Sequence, residues 1–171
     1  MLKDWNKVEQ PTAEEVDKRL ANAKNSLLQQ QIAMKEKKLP VIVLLEGWGA
    51  AGKGSVLGKL IKNIDPRFFK VAVMDEPTEE EKRKPFLYRH FVKIPEAGKF
   101  VFMDSGWMSE VTSQKLSGEL SEEEYKKRIE SIKRFERQLT DNGYLLLKFF
   151  FNIDKKEQKK RLKKLVEDRN T

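Results

Sequence analysis

The chain has 171 residues, long enough for one domain with a substantial core and too short for two comfortable ones. Charged residues make up 36% and hydrophobic ones 39%, a soluble globular balance, and the absence of cysteine excludes a disulfide framework and any thiolate metal site. Lys and Arg outnumber Asp and Glu by 35 to 27, and the resulting net charge of +8 favours polyanionic partners without choosing among them.

The opening Met1-Leu2-Lys3-Asp4-Trp5 lacks the apolar stretch of a signal peptide. After Pro11, Thr12 with Glu15 reads as a capping box opening a helix that runs to about residue 37. Val16, Leu20, Ala23, Leu27 and Met34 recur on it at helical spacing, so one face is expected to pack. Pro40 closes the connection, and 41–45 is a continuous apolar run bounded by Pro and Gly, as a strand buried on both faces requires. A helix over 53–63 follows, with Val56, Leu57, Leu60, Ile61 and Ile64 as its apolar stripe, and then a short strand over 69–74. Thr78 with Glu81 opens another helix, which Pro85 interrupts.

Residues 99–103 form a third strand candidate. Ser121 with Glu124 caps a helix carrying Tyr125, Ile129, Ile132, Phe135 and Leu139 on one face, and Gly143 ends it. A fourth strand spans 144–151; it is far too short to cross a bilayer and carries Lys148. Asp154 with Glu157 starts a strongly basic closing helix, with Leu162, Leu165 and Val166 expected to face inward. Strands alternating with helices imply βαβ units and a mainly parallel sheet, an α/β fold with no repeat and no low-complexity segment. One domain over 1–171 is expected, with 1–40 as a leading helical segment and 41–171 as the α/β core, in a cytoplasmic protein without membrane contact.

Directly after the first strand stands Glu46-Gly47-Trp48-Gly49-Ala50-Ala51-Gly52-Lys53-Gly54-Ser55. Gly47, Gly52 and Lys53 fit the G-x-x-x-x-G-K phosphate-binding loop, and strand, loop and helix follow in the order that motif needs. Glycines let the backbone turn tightly and aim successive N–H groups at phosphate oxygens, while the helix start and Lys53 add positive charge. Phosphate contacts are therefore expected from Gly47, Gly49, Ala50, Ala51, Gly52, Lys53, Gly54 and Ser55. The position after Lys53, where Ser or Thr usually meets Mg²⁺, is Gly54, and the hydroxyl of Ser55 comes one residue late. Asp104 ends the third strand, where a carboxylate can hold Mg²⁺ beside bound phosphates. A turn role alone is the plainer reading of such an Asp, and the phosphate loop raises its weight.

Lys82, Arg83, Lys84 and Arg89 could clamp phosphates, although Lys82 and Lys84 read better as an exposed mixed-charge helix. His90, the single histidine, suits a surface or packing role better than catalysis. The run Lys155, Lys156, Lys159, Lys160, Arg161, Lys163 and Lys164 is either a polyanion track or a solvated helix face.

These blocks together resemble the polyphosphate kinase 2 family, especially its polyphosphate:AMP phosphotransferase branch. The likeness rests on Glu46-Gly47-Trp48 with Ala50-Ala51-Gly52-Lys53-Gly54, then Pro77-Thr78 with Glu81 and Leu87-Tyr88-Arg89. Pro95-Glu96-Ala97-Gly98, Asp104 with Trp107, Phe135-Glu136, Leu147-Lys148-Phe149 and Glu157-Gln158 with Arg161 continue it in order, from about Trp5 to the C-terminus. The resemblance implies a P-loop NTPase-like, nucleotide-kinase-like sheet, Mg²⁺, and phosphoryl transfer between inorganic polyphosphate and AMP, ADP or ATP. By carry-over Lys53 holds phosphate, Asp104 the metal, and Arg89 phosphate or nucleotide.

Three departures stand against that pattern. Gly49 occupies a position where active members usually carry Asp, and Ser105 one where they carry Arg. The family also continues into a basic lid with a last strand and helix, which this chain is expected to lack, as the first half of a tandem protein would. Each lost charge-stabilising group costs ~2–4 kcal/mol of barrier. Two function classes follow: a polyphosphate-dependent nucleotide kinase, or a degenerate kinase-like module that binds polyanions or supports assembly as a homo-oligomer or beside a fused second domain. Glu46 and Asp75 are the nearest carboxylates by chain position that could replace the one missing at Gly49. A P-loop ATPase or nucleic-acid binder explains the charge but not the ordered blocks, and no aromatic platform for bases is evident.

Overall fold

The computed structural model describes residues 11–169; residues 1–10, Trp5 among them, and Asn170-Thr171 lie outside the described residues. At its centre, β1 (Val41–Gly47) is buried along almost its whole length. It pairs in parallel with β3 (Phe100–Asp104) on one side and with β4 (Leu145–Phe151) on the other. β2 (Phe69–Val73) adds to β3, giving a four-stranded parallel sheet in the order β2-β3-β1-β4.

Alternation along β1 sends its side chains into two separate cores. Ile42 and Leu44 join Val101 and Met103 against α5 (Trp107–Leu116) and α6 (Glu122–Asp141), with Trp107, Val111, Ile132, Phe135 and Leu139 closing that face. Val41, Val43 and Leu45 join Phe100 and Phe102 on the other face. There Leu57 of α2 (Lys53–Ile61) and, less deeply, Leu27 and Met34 of α1 (Ala13–Glu36) cover them. This three-layer build requires β1 and β3 to be apolar on both sides, which is why both read as uninterrupted hydrophobic runs.

The capping boxes at Thr12, Thr78 and Ser121 all form, each side chain accepting the backbone N–H three residues on. Pro85 splits the segment after Thr78 into two single turns, α3 (Glu79–Lys82) and α4 (Tyr88–Phe91). The helix α5 carries no local start signal, because its N-cap is Gly106 without a side-chain bond. Glu46, far away in sequence, takes over the cap: its Oε2 accepts the Ser109 backbone N–H at 3.1 Å and also the Ser109 hydroxyl.

Two packing expectations are corrected. Leu162, Leu165 and Val166 of α7 (Lys155–Arg169) are exposed rather than inward-facing, as are Leu145, Leu147, Phe149 and Phe150 of β4. The cause is topological: β4 pairs only with β1, so it forms a sheet edge that the described helices leave largely uncovered. Val16 and Leu20 of α1 are likewise exposed, and only its C-terminal half, from Leu27 through the buried Gln31 to Met34, meets the sheet. No helix among the described residues is long and apolar enough to cross a membrane.

Candidate active site

β3 ends at Asp104 opposite Leu45 and β1 runs two residues further to Gly47, so the loop after β1 opens at the carboxyl end of the sheet. Between β3 on one side and β4 on the other, this is the crevice where open α/β sheets take ligands. Gly47 leaves the strand at φ +128°, and a Cβ there would collide with the Phe151 backbone of β4. Only glycine allows so close an approach. The Trp48 N–H then donates to Phe151 O at 3.3 Å, and the Trp48 indole donates to Asn152 Oδ1 at 3.0 Å.

The loop turns back through Ala50, held at φ 60°, and its Ala51 N–H closes onto Trp48 O at 3.2 Å. Gly52, at φ 98°, is the N-cap of α2 and supplies no side chain to its free amides. Uncapped helix N–H groups, a left-handed turn and the helix dipole together make an anion cradle. Lys53 Nζ folds back on Gly47 O at 3.1 Å and Trp48 O at 3.3 Å, bridging the loop from within.

A cleft of about 390 Å³ opens over this loop. Ala50 through Ser55 form one wall; Val73 and Met74 at the end of β2, with Asp104 and Ser105 at the end of β3, form the other. Asp104 Oδ2 lies 3.9 Å from where a Cβ on Gly54 would sit. The missing side chain at Gly54 therefore leaves the carboxylate open to the start of α2. Ser105, at φ 63°, makes the turn that follows, its N–H donating to Leu45 O at 3.1 Å.

The cleft thus gathers Ala50, Ala51, Gly52, Lys53, Gly54, Ser55 and Asp104, while Gly47 shapes the turn from behind and Gly49 stays off the wall. Arg89 also stands outside it. It is buried, its guanidinium donating to Asp75 O and lying 3.9 Å from Glu81 and 3.8 Å from Glu110. The Thr78 backbone N–H first, and Arg89 nearby, hold the Glu81 carboxyl below its ordinary value. His90 is fully buried, 3.0 Å from Glu110 Oε2 and edge-on to the Trp107 ring, which is the packing alternative of the two roles expected and not the surface one. Lys82 and Lys84 pair on the surface with Glu79 and Glu80.

Neither proposed substitute for a carboxylate at Gly49 reaches the cleft. Glu46 is turned under α5, and a Cβ on Gly106 would sit 2.7 Å from its Oε1; Asp75 is absent from the lining. Among the described residues Asp104 is the one carboxylate on the cleft wall.

Two contacts went unread in the sequence. Gln158 Nε2 of α7 donates to Gly49 O at 3.1 Å, and Arg161 Nη1 lies 3.4 Å from both Ala50 O and Ala51 O. Their spacing of three on one helix was the available signal, obscured by the lysines around them.

A strand, a glycine loop and a helix start, with a carboxylate at the end of the neighbouring strand, are the arrangement of a P-loop NTPase-like fold. The family model described as Polyphosphate kinase 2 matches residues 10–170, and the chain belongs to that family. It is 30% identical over 151 residues to ADP-polyphosphate phosphotransferase 3 of Rhizobium meliloti, covering 88% of this chain and 53% of that protein. To the polyphosphate:AMP phosphotransferase of Pseudomonas aeruginosa it is 33% identical over 153 residues, covering 89% of this chain and 31% of that one. The chain therefore spans about half or less of these curated relatives. A crystal structure of polyphosphate kinase 2 from Arthrobacter aurescens superposes with a TM-score of 0.84 at 27% identity, over 92% of this chain and 58% of that one. That likeness agrees with the α/β P-loop fold expected from the alternation of elements.

Proposed function

We propose that this chain is a kinase-like domain that transfers phosphoryl groups between inorganic polyphosphate and a nucleoside mono- or diphosphate. The observation that carries the reading is the cleft joining the Gly52–Ser55 cradle to Asp104. Relatives are named for polyphosphate with AMP, ADP or GDP, which gives the substrate class.

A terminal phosphate would seat against the amides of the loop and α2, with Lys53 swinging from the loop carbonyls onto it. The acceptor is itself a phosphate oxygen and already anionic, so no general base is needed. As its bond to phosphorus forms, the bridging P–O bond of the donor breaks. The site's work is alignment and charge neutralisation. Mg²⁺ is commonly held by one or two carboxylates plus substrate phosphates, and one open carboxylate beside the cradle fits that donor set. Asp104 would hold it, and the ion would supply neutralisation of the charge spread over the transferred group. A cytoplasmic setting, where nucleotides are abundant, would suit the proposed activity.

A second reading is favoured by one observation: among the described residues Asp104 is the one carboxylate on the cleft wall, with no carboxylate at Gly49 and no arginine at Ser105. On that reading the cleft binds polyphosphate without turning it over. A magnesium titration separates the two. The first reading expects Asp104→Asn to raise the Mg²⁺ needed for half-maximal turnover and to cut the rate by roughly a hundredfold. Polyphosphate binding with no turnover in either protein supports the second, and a rate that Asp104→Asn leaves unchanged contradicts the metal role.

A further inference from the structure

A phosphate loop has to solve two problems at once. Its N–H groups must converge on the anion, and its carbonyl oxygens must be kept away from it. The peptide unit is planar and trans, so the carbonyl of one residue and the N–H of the next point in opposite directions. Whatever grips the carbonyls from outside therefore aims the following amides inward.

In this chain the grip comes from α7. Gln158 Nε2 donates to Gly49 O at 3.1 Å, and Arg161 Nη1 lies 3.4 Å from Ala50 O and Ala51 O. Arg161 is itself oriented, its Nε donating to Glu157 Oε1 at 2.7 Å. The peptide units following Gly49 and Ala51 carry the N–H groups of Ala50 and Gly52, both residues of the cleft wall. The intervening Ala51 N–H is already spent on Trp48 O. Both side chains lie close against the loop: a Cβ on Gly49 would stand in ordinary contact, 3.9 Å, with Gln158 Nε2, and one on Gly52 at the same distance from Arg161 Nη1.

We propose that Gln158 and Arg161 are positioning residues that clasp the loop from behind and fix the Ala50 and Gly52 amides toward phosphate. The proposal rests on the phosphate-binding reading of the loop. Arg161 acts here through the geometry of its planar fork, which a lysine cannot reproduce. A phosphate that locks the loop also strengthens the seat of α7, so the two are linked reciprocally.

The test is calorimetric titration of the chain with inorganic tripolyphosphate, alongside amide NMR of the loop. Gln158→Glu keeps the shape but cannot donate to a carbonyl, and Arg161→Lys keeps the charge but loses the fork. Each is expected to weaken tripolyphosphate severalfold, and the pair roughly tenfold or more. The Ala50 and Gly52 amide resonances should move even without phosphate. Wild-type affinity with unmoved amides in both variants overturns the clasp while leaving the loop reading intact. Loss in Arg161→Ala with full recovery in Arg161→Lys also overturns it, reducing Arg161 to a simple charge. If the unmodified chain binds no tripolyphosphate, or binds it as well after Lys53→Ala, the loop reading fails and the clasp fails with it.

Discussion

Among the described residues Asp104 is the one carboxylate on the cleft wall, and Gly49, next in sequence to the wall residue Ala50, has no side chain to add a second. The position can accept a side chain: Gly49 does not hold the positive φ that L residues resist, and its Cβ would approach only Gln158 Nε2, at 3.9 Å. Gly49→Asp is therefore expected to fold and to raise turnover with polyphosphate and AMP on the order of tenfold or more. A rate that does not rise, in a variant with an unchanged melting curve, counts against the missing carboxylate as the reason for weak activity. The loop was legible in the sequence because its signal is local, glycines, a lysine and a helix start within ten residues, whereas the contacts that brace it from β4 and α7 are not. Arg89 was not, since its environment is assembled from Asp75, Glu81 and Glu110, three segments that only the fold brings together.

At the scale of elements, helix starts were readable wherever the cap is local. α6 begins at a complete box in which the Ser121 side chain and the Glu124 carboxylate each accept the other's backbone N–H. Ser121→Ala should cost about 1 kcal/mol of stability, measured by urea unfolding. The bond to the Ser121 side chain, and then to its backbone N–H, holds the Glu124 carboxyl below its ordinary value of 4.5. Its contribution is therefore fully present above pH 4.5 and is lost as pH falls through the lower folded value. Glu124→Gln should flatten that part of the stability–pH curve, and an unaltered slope would remove the box from the acid response. α5 was missed for the converse reason: its cap is Glu46, 63 residues from Ser109. β4 shows a further limit. An apolar run reads the same whether the strand is central or at an edge, and only the pairing order distinguishes them.

For the whole molecule, the sheet, its two apolar faces and the crevice at the carboxyl ends of β1 and β3 account together for the placement of the loop. Charge adds to this picture without deciding it. The net +8 and the lysines of α7 favour a polyanion near the cleft, and their effect should weaken with salt over a Debye length of ~8 Å at physiological ionic strength. The central claim is phosphoryl transfer at the Lys53 loop. The most direct measurement is a phosphorus NMR time course with Mg²⁺, polyphosphate and AMP or ADP, run on wild type and Lys53→Ala side by side. The account predicts new nucleotide phosphate signals in the wild type, with the rate lowered roughly a hundredfold or more in the variant. Equal product in both, or neither product nor Lys53-dependent broadening of the polyphosphate lines, would contradict it.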